Sequence, residues 1–198
     1  DTTRFRPVDG MPTRAALGLT AAMPIVGMFA SLKPQKNHPL LLQAARAVLA
    51  AVSEARFLFV GDILAGGKHG SSDYAREVQL MVDSLGLRAA CQFLGNRTDL
   101  PQLYSACDLT VLPSLFEGTP NAVLESLACG CPVVVTDVAD NALIVPDRQV
   151  GRVVPSGDHQ ALSRAIVELL TVPGYRASLA ANARAWAEAE FSLRALSA

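Results

Sequence analysis

No stretch of this 198-residue sequence runs apolar for the ~20 residues that a membrane-spanning helix needs, and the opening residues carry no secretory pattern. Charge of a single sign is missing too. Lys and Arg number 17 against 18 Asp and Glu, so a formal net charge of −1 offers no basic face for nucleic acid. Cysteine is sparse. Cys91, Cys107, Cys129 and Cys131 lie in or beside apolar segments, and Cys129-Gly-Cys131 has no second pair at zinc-like spacing. They read as small buried hydrophobes, which sets the expectation of a reducing, cytoplasmic location. Internal repeats and low-complexity tracts are lacking. The glycines of Gly66-Gly67-Lys68-His69-Gly70 fit neither G-x-G-x-x-G nor G-x-x-x-x-G-K-[ST], so that stretch reads as a loop without a phosphate-binding fingerprint of its own.

What remains is apolar and rhythmic. With 51% hydrophobic and 18% charged residues the chain has enough apolar content for the core of one domain. Near-continuous apolar runs, the mark of buried parallel strands, fall at Pro24 to Ala30, Arg56 to Gly61, Cys91 to Leu94, Leu109 to Leu112, Val133 to Val135 and Gly151 to Val154. Helical patterns alternate with them. One opens at Asn37 or His38 as cap, with Pro39 in its first turn and Leu41, Ala45, Val48 and Val52 inward; His38 itself reads as a cap or surface residue. Others carry Val78, Met81, Val82 and Leu85 up to Gly86, run from a Thr98 or Asp99 cap to Ala106, and follow Asp158 with Leu162, Ile166, Leu169 and Leu170 inward. Thr13 to Leu19 is a short helix at best, and Tyr175 to Glu190 an alanine-rich last one. The expected class is α/β, a Rossmann-like parallel sheet of about six strands with helices on both faces. Residues 1–20 are the linker and short helix, 21–172 the core, and 173–198 the final helix with the start of another.

The chemistry gathers in Pro113-Ser-Leu-Phe-Glu-Gly-Thr-Pro-Asn-Ala-Val-Leu-Glu-Ser-Leu-Ala-Cys-Gly-Cys-Pro-Val-Val-Val-Thr-Asp137. Thr119 is placed to cap a helix of about three turns, with Pro120 at its first position and Gly130 as its stop. Leu124, Leu127 and Ala128 would face the core and Glu125 would lie off that stripe, while Glu117 stands in the loop ahead. Two carboxylates bracketing a helix N-terminus leave an anion-binding point between them, spanning on the order of ten Å. A sugar nucleotide has that layout: hydroxyls at each end and a diphosphate in the middle. Glu117 would then take the sugar hydroxyls, Glu125 the ribose hydroxyls, and the N–H groups of Thr119, Asn121 and Ala122, beside Gly118, the diphosphate. Two lysines, Lys33 and Lys36, gather ahead of another helix start, where the dipole disfavours them unless an anion is shared.

Glu117-Gly-Thr-Pro-Asn-Ala-Val-Leu-Glu125, followed by Ala128-Cys-Gly-Cys-Pro-Val-Val, resembles the E-x7-E signature of retaining glycosyltransferases of the GT-B fold, closest to family 4. The resemblance covers essentially the whole chain and half of such an enzyme, its donor-binding C-terminal domain. It implies transfer of a sugar from a nucleoside-diphosphate sugar to a hydroxyl acceptor such as a lipid or polysaccharide precursor, with no further cofactor. Lys36 matches the lysine that stabilises the departing diphosphate, and Glu117 joins it as a catalytic residue. Ser31 stands where the family has an arginine, leaving Lys33 to help. Leu94, Gly95 and Arg97, at the end of the third strand, correspond to the base site. The family often has glycine where Ala139 sits. Asp137 and Asp140 form no Asp-x-Asp pair, so no metal site is expected. The partner would be an N-terminal acceptor domain, through which peripheral membrane contact is plausible; Phe191-Ser-Leu-Arg-Ala-Leu resembles the start of a helix crossing back to it. These residues alone are expected to bind donor and not to transfer sugar. A non-catalytic nucleotide-binding module and a GT-B sugar-nucleotide epimerase domain are the alternatives, the intact glutamate pair arguing against the second.

Overall fold

A computed structural model describes residues 1–62 and 71–191. The glycine-rich stretch from Ile63 to Gly70 and the residues after Phe191 lie outside that range. Six strands, β1 (Ile25–Phe29), β2 (Arg56–Val60), β3 (Cys91–Gly95), β4 (Leu109–Leu112), β5 (Val133–Thr136) and β6 (Gly151–Val154), form one sheet in the order β3-β2-β1-β4-β5-β6. Every pairing is parallel. β1, β4 and β5 are buried at every position, because helices cover both faces and leave no wet side for polar alternation.

The helices are α1 (Met11–Ala16), α2 (His38–Ala51), α3 (Ser71–Ser84), α4 (Leu100–Ala106), α5 (Asn121–Ala128), α6 (Asn141–Ile144), α7 (His159–Thr171) and α8 (Tyr175–Phe191). α2 packs against α3 and α7; α5 packs against α4 and α8, and α1 joins α4. These are the two covering layers. The apolar side chains between them and the sheet make one contiguous core in which Ile25, Met28, Phe57, Leu58, Leu103 and Leu109 are fully buried.

Topology fixes where a ligand goes. The chain moves outward from β1 to β2 and β3, returns to β4 beside β1, and then moves outward the other way, so the order reverses between β1 and β4. In open parallel sheets ligands bind in the crevice at the carboxyl ends of the strands at such a reversal. The backbone there is tightly stitched: Ala30 donates to Val60, Leu32 to Asp62, and Gly61 to Gly95. Gly61 has φ +154°, and a Cβ on it would overlap the Ala30 carbonyl, so only glycine lets β2 pass the end of β1 this closely.

Several local expectations need correction. α5 begins at Asn121 and has 8 residues, about two turns; Pro120 occupies the N-cap position and Thr119 precedes the helix without capping it. Proline without an N–H can still accept, and its carbonyl receives the Val123 N–H at 2.9 Å. Val123 and Ser126 take core positions beside Leu127 and Ala128, whereas Leu124 is only partly covered, because the helix is pinned by α4 and α8 as well as the sheet. Ser126 is admitted because its hydroxyl pairs with Thr110 on β4 at 2.6 Å and donates to the Cys131 carbonyl at 2.9 Å. α1 starts earlier than Thr13, led by Pro12, and Gly18 at φ +71° stops it. A one-turn helix, α6, follows the polar turn after β5.

His38 is neither cap nor surface. It is the first residue of α2 and fully buried, and Asn37 in the left-handed region turns the chain into the helix. Its backbone N–H donates to the Tyr74 hydroxyl at 3.1 Å, which also lies 3.4 Å from Nδ1, while Nε2 has no partner among the described residues. Burial, with Lys36 nearby, pulls the imidazole pKa down to about 4, so the ring is neutral.

Candidate donor site at the sheet reversal

Two loops meet above the β1/β4 crevice. After β1 the chain makes a 3-10 turn over Pro34–Lys36; after β4 it runs through Ser114 to Pro120 before entering α5. They are stapled in both directions, with Leu115 N–H donating to the Gln35 carbonyl and Gln35 Nε2 donating to the Phe116 carbonyl, each at 2.9 Å. That staple brings Lys36 and Glu117 together. Lys36 Nζ lies 2.6 Å from Glu117 Oε1, and the glutamate side chain is only 4% exposed. Ser114 donates to the same oxygen and passes its own carbonyl to the Thr136 hydroxyl, so the glutamate is held from β4 and β5 at once.

Glu125, one turn into α5, lines a cleft that neither Lys36 nor Glu117 lines. It is half-buried and accepts a hydrogen bond from the Tyr104 hydroxyl on α4 at 3.0 Å. Burial raises its pKa, the Tyr104 bond and the nearby Arg4 opposing that. Glu125 shares a cleft with Ser31, Arg97, Ala122, Phe29 and Tyr104. Arg97 is locked to Asp99 by bonds of 2.8 and 2.6 Å, which is why Asp99 sits at the N-cap of α4 without capping it. Leu94 and Gly95 end β3 beside this cleft, with Gly95 at φ +65°.

The sequence-predicted residues thus fall into two groups. Lys36 and Glu117 meet in one; Ser31, Arg97, Ala122 and Glu125 share the cleft that makes the other. No acceptor is found among the described residues for the N–H groups of Thr119, Asn121 and Ala122. Those donors lie at the positive end of the helix dipole. Gly118 is exposed and a Cβ there would touch nothing, so packing does not demand glycine. Lys33 is exposed, and no hydrogen bond or ion pair among the described residues joins it to the pair. No cluster of three His, Cys, Asp or Glu that could hold a metal ion occurs among the described residues.

Sequence reasoning missed Tyr104, Ser114 and Gln35. Each acts through a contact between separate elements; the one local hint was that a tyrosine fully buried in a short helix needs a polar partner for its hydroxyl.

A parallel α/β sheet with its polar groups gathered at the strand-order reversal defines a Rossmann-like domain. The profile of the family Glycosyl transferases group 1 matches residues 13–186, and the chain belongs to that family. The D-inositol 3-phosphate glycosyltransferase of Rhodococcus jostii is 32% identical over 95% of this chain and 42% of its own length. The structure is similar to that of HepE from Anabaena, solved in complex with UDP and glucose, with a TM-score of 0.88 and 30% identity over 97% of this chain and 51% of that one. The C-terminal domain of the glycosyl transferase LpcC from Francisella tularensis shares the fold at a TM-score of 0.86 and 21% identity, covering 98% of both chains. The chain spans about half the length of the curated relatives it matches, as in the 42% for the Rhodococcus enzyme. No helix among the described residues is long and apolar enough to cross a membrane.

Proposed function

We propose that this chain is the donor-binding domain of a retaining glycosyltransferase that moves a sugar from a nucleoside-diphosphate sugar to a hydroxyl acceptor. The observation that carries the reading is that Lys36 pairs with Glu117 in the loops ahead of α5 while Glu125, one turn into it, lines a separate cleft, the N–H groups that open the helix having no acceptor among the described residues. The diphosphate lies over that terminus and draws Lys36 toward it. Glu125 accepts from the ribose, the base lies toward Leu94 to Arg97, and Glu117 accepts from the sugar hydroxyls. Charge building on the leaving diphosphate is met by an ammonium and by fixed N–H dipoles already aimed at it, the arrangement that lowers such barriers most. The acceptor hydroxyl and the rest of the cleft belong to a partner domain, the relatives being about twice as long. Four buried, unpaired thiols fit a reducing compartment, the cytoplasm.

Calorimetric titration with UDP, GDP and ADP, each with and without its common sugars and with and without a chelator, tests this. One nucleoside diphosphate should bind well above the others and keep its affinity under chelation. Absence of binding by all three would overturn the reading.

A further inference from the structure

Among the described residues the Tyr104 hydroxyl is the one side-chain hydrogen-bond partner of the Glu125 carboxylate. Its ring is clamped, stacked on Phe29 of β1 with centroids 3.8 Å apart and planes 20° from parallel, and met edge-on by Phe5 at 6.2 Å. At 1% exposure it has no room to change rotamer. Its hydroxyl emerges beside the cleft, where Glu125 Oε2 at 3.0 Å is the only partner assigned to it among the described residues. A phenol that must satisfy its hydroxyl when buried is therefore aimed by aromatic packing at one oxygen of a carboxylate that would otherwise rotate about three side-chain bonds. Among the described residues Oε1 and the second lone pair of Oε2 have no partner and are left for the cleft.

Two acceptor sites on one fixed carboxylate match two adjacent hydroxyls. A ribose presents its 2′ and 3′ hydroxyls on one face of the ring, and each can donate to a separate carboxylate oxygen. We infer that Tyr104 is a positioning residue that orients Glu125 to accept both ribose hydroxyls, so that discrimination between ribonucleotides and 2′-deoxyribonucleotides depends on the phenolic hydroxyl. This deepens the proposed function and rests on its assignment of Glu125 to the ribose. The bond also opposes the upward pull of burial on the Glu125 pKa.

The test measures dissociation constants of UDP, GDP and ADP and of their 2′-deoxy counterparts for the wild-type protein, Tyr104→Phe and Glu125→Gln. Phenylalanine keeps the ring stacked on Phe29, and a thermal melt of each variant verifies that it is folded. Wild type should prefer the ribo form by roughly tenfold or more, the scale of one hydrogen bond to a charged group. Tyr104→Phe should cut that preference to within about threefold of unity, weakening the ribo form far more than the 2′-deoxy form, which has only its 3′ hydroxyl to lose. A purely structural tyrosine would instead weaken both forms equally, and that result overturns the inference. Full ribose preference in Tyr104→Phe combined with its loss in Glu125→Gln also overturns it, leaving the proposed function intact. Preference unchanged in Glu125→Gln, or no nucleotide binding at all, removes the proposed role of Glu125 and this inference with it.

Discussion

Lys36 Nζ and Glu117 Oε1, 81 positions apart in sequence, lie 2.6 Å from each other at the mouth of the β1/β4 crevice. Each residue therefore already has a charged partner. The glutamate is the more buried of the two, and Ser114 keeps it in place. On the proposed reading a diphosphate arriving over α5 would compete with Glu117 for that ammonium, and the pair would couple the leaving-group end of the site to its sugar end.

That coupling separates two substitutions. Lys36→Met should weaken nucleoside diphosphate binding by about 1.5–3 kcal/mol, the range for a hydrogen bond to a charged group. Glu117→Ala frees the lysine, so affinity for the bare diphosphate should hold or rise, and only the intact sugar nucleotide should bind less well. Calorimetry with both ligands decides it. Equal losses for both in Glu117→Ala would take Glu117 away from the sugar end.

His38 makes stability depend on pH. Its folded-state pKa of about 4 lies below the ordinary value of 6.5, so the unfolded chain binds the proton more readily and stability rises with pH through that interval. Full stability is present above about pH 6.5 and is lost as pH falls toward 4, by about 3 kcal/mol from this residue. Urea unfolding at a series of pH values should show the slope, and His38→Gln should flatten it. An unchanged slope in that variant would assign the acid sensitivity to other groups.

How much of this was visible beforehand follows from the range of each interaction. All six strands could be read as short, largely apolar runs, most plainly β1, β4 and β5, which are buried at every position, and the Asp158 cap was legible because its carboxylate accepts from Ala161 three residues on. The glutamate pair and Lys36 carried a spacing that matched a known pattern. Tyr104, Ser114 and the burial of His38 were not legible, since each is fixed by an element distant in sequence. α5 misled for a related reason: Thr119 and Pro120 have the residue types of a helix start, but the staple between the two loops holds Thr119 outside the helix and delays the first turn.

Ala139 offers a gain in stability. It has φ +47°, a left-handed conformation in which its Cβ crowds the following carbonyl at a cost of roughly 1–2 kcal/mol. Ala139→Gly removes that strain and gives back part of it as unfolded-state entropy, leaving a net stabilisation of about 0.5–1 kcal/mol. A higher urea midpoint with unchanged slope is the expected result. A lower midpoint would mean that the methyl group makes contacts that outweigh the strain.

At the opposite end of the sheet Arg14 and Asp108 form a network whose loss should cost far more. The Arg14 guanidinium donates to the Ala106 carbonyl at 2.8 Å, to the Ala21 and Met23 carbonyls at 3.2 and 3.1 Å, and to Asp108 Oδ2 at 2.9 Å. The same Oδ2 accepts from Ile25 N–H at 2.7 Å, and Arg176 reaches Oδ1 at 2.8 Å, so α1, α8 and the starts of β1 and β4 converge on one carboxylate. Arg14 is 8% exposed, and its removal strands Asp108 with a single remaining cation and leaves several carbonyls unpaired. Arg14→Ala should therefore lower stability by about 3–5 kcal/mol, the cost of breaking a buried pair from one side. Arg14→Lys should recover little of it, because an ammonium cannot address carbonyls and a carboxylate over that span. Asp108 precedes β4 whereas the crevice lies beyond the far end of that strand, so the nucleotide dissociation constant of the folded fraction should not move. Denaturant unfolding and calorimetry on the same samples check both halves. A loss below about 1 kcal/mol would show that water substitutes for the guanidinium, and weakened nucleotide binding at undiminished stability would show that the two ends of β4 are coupled.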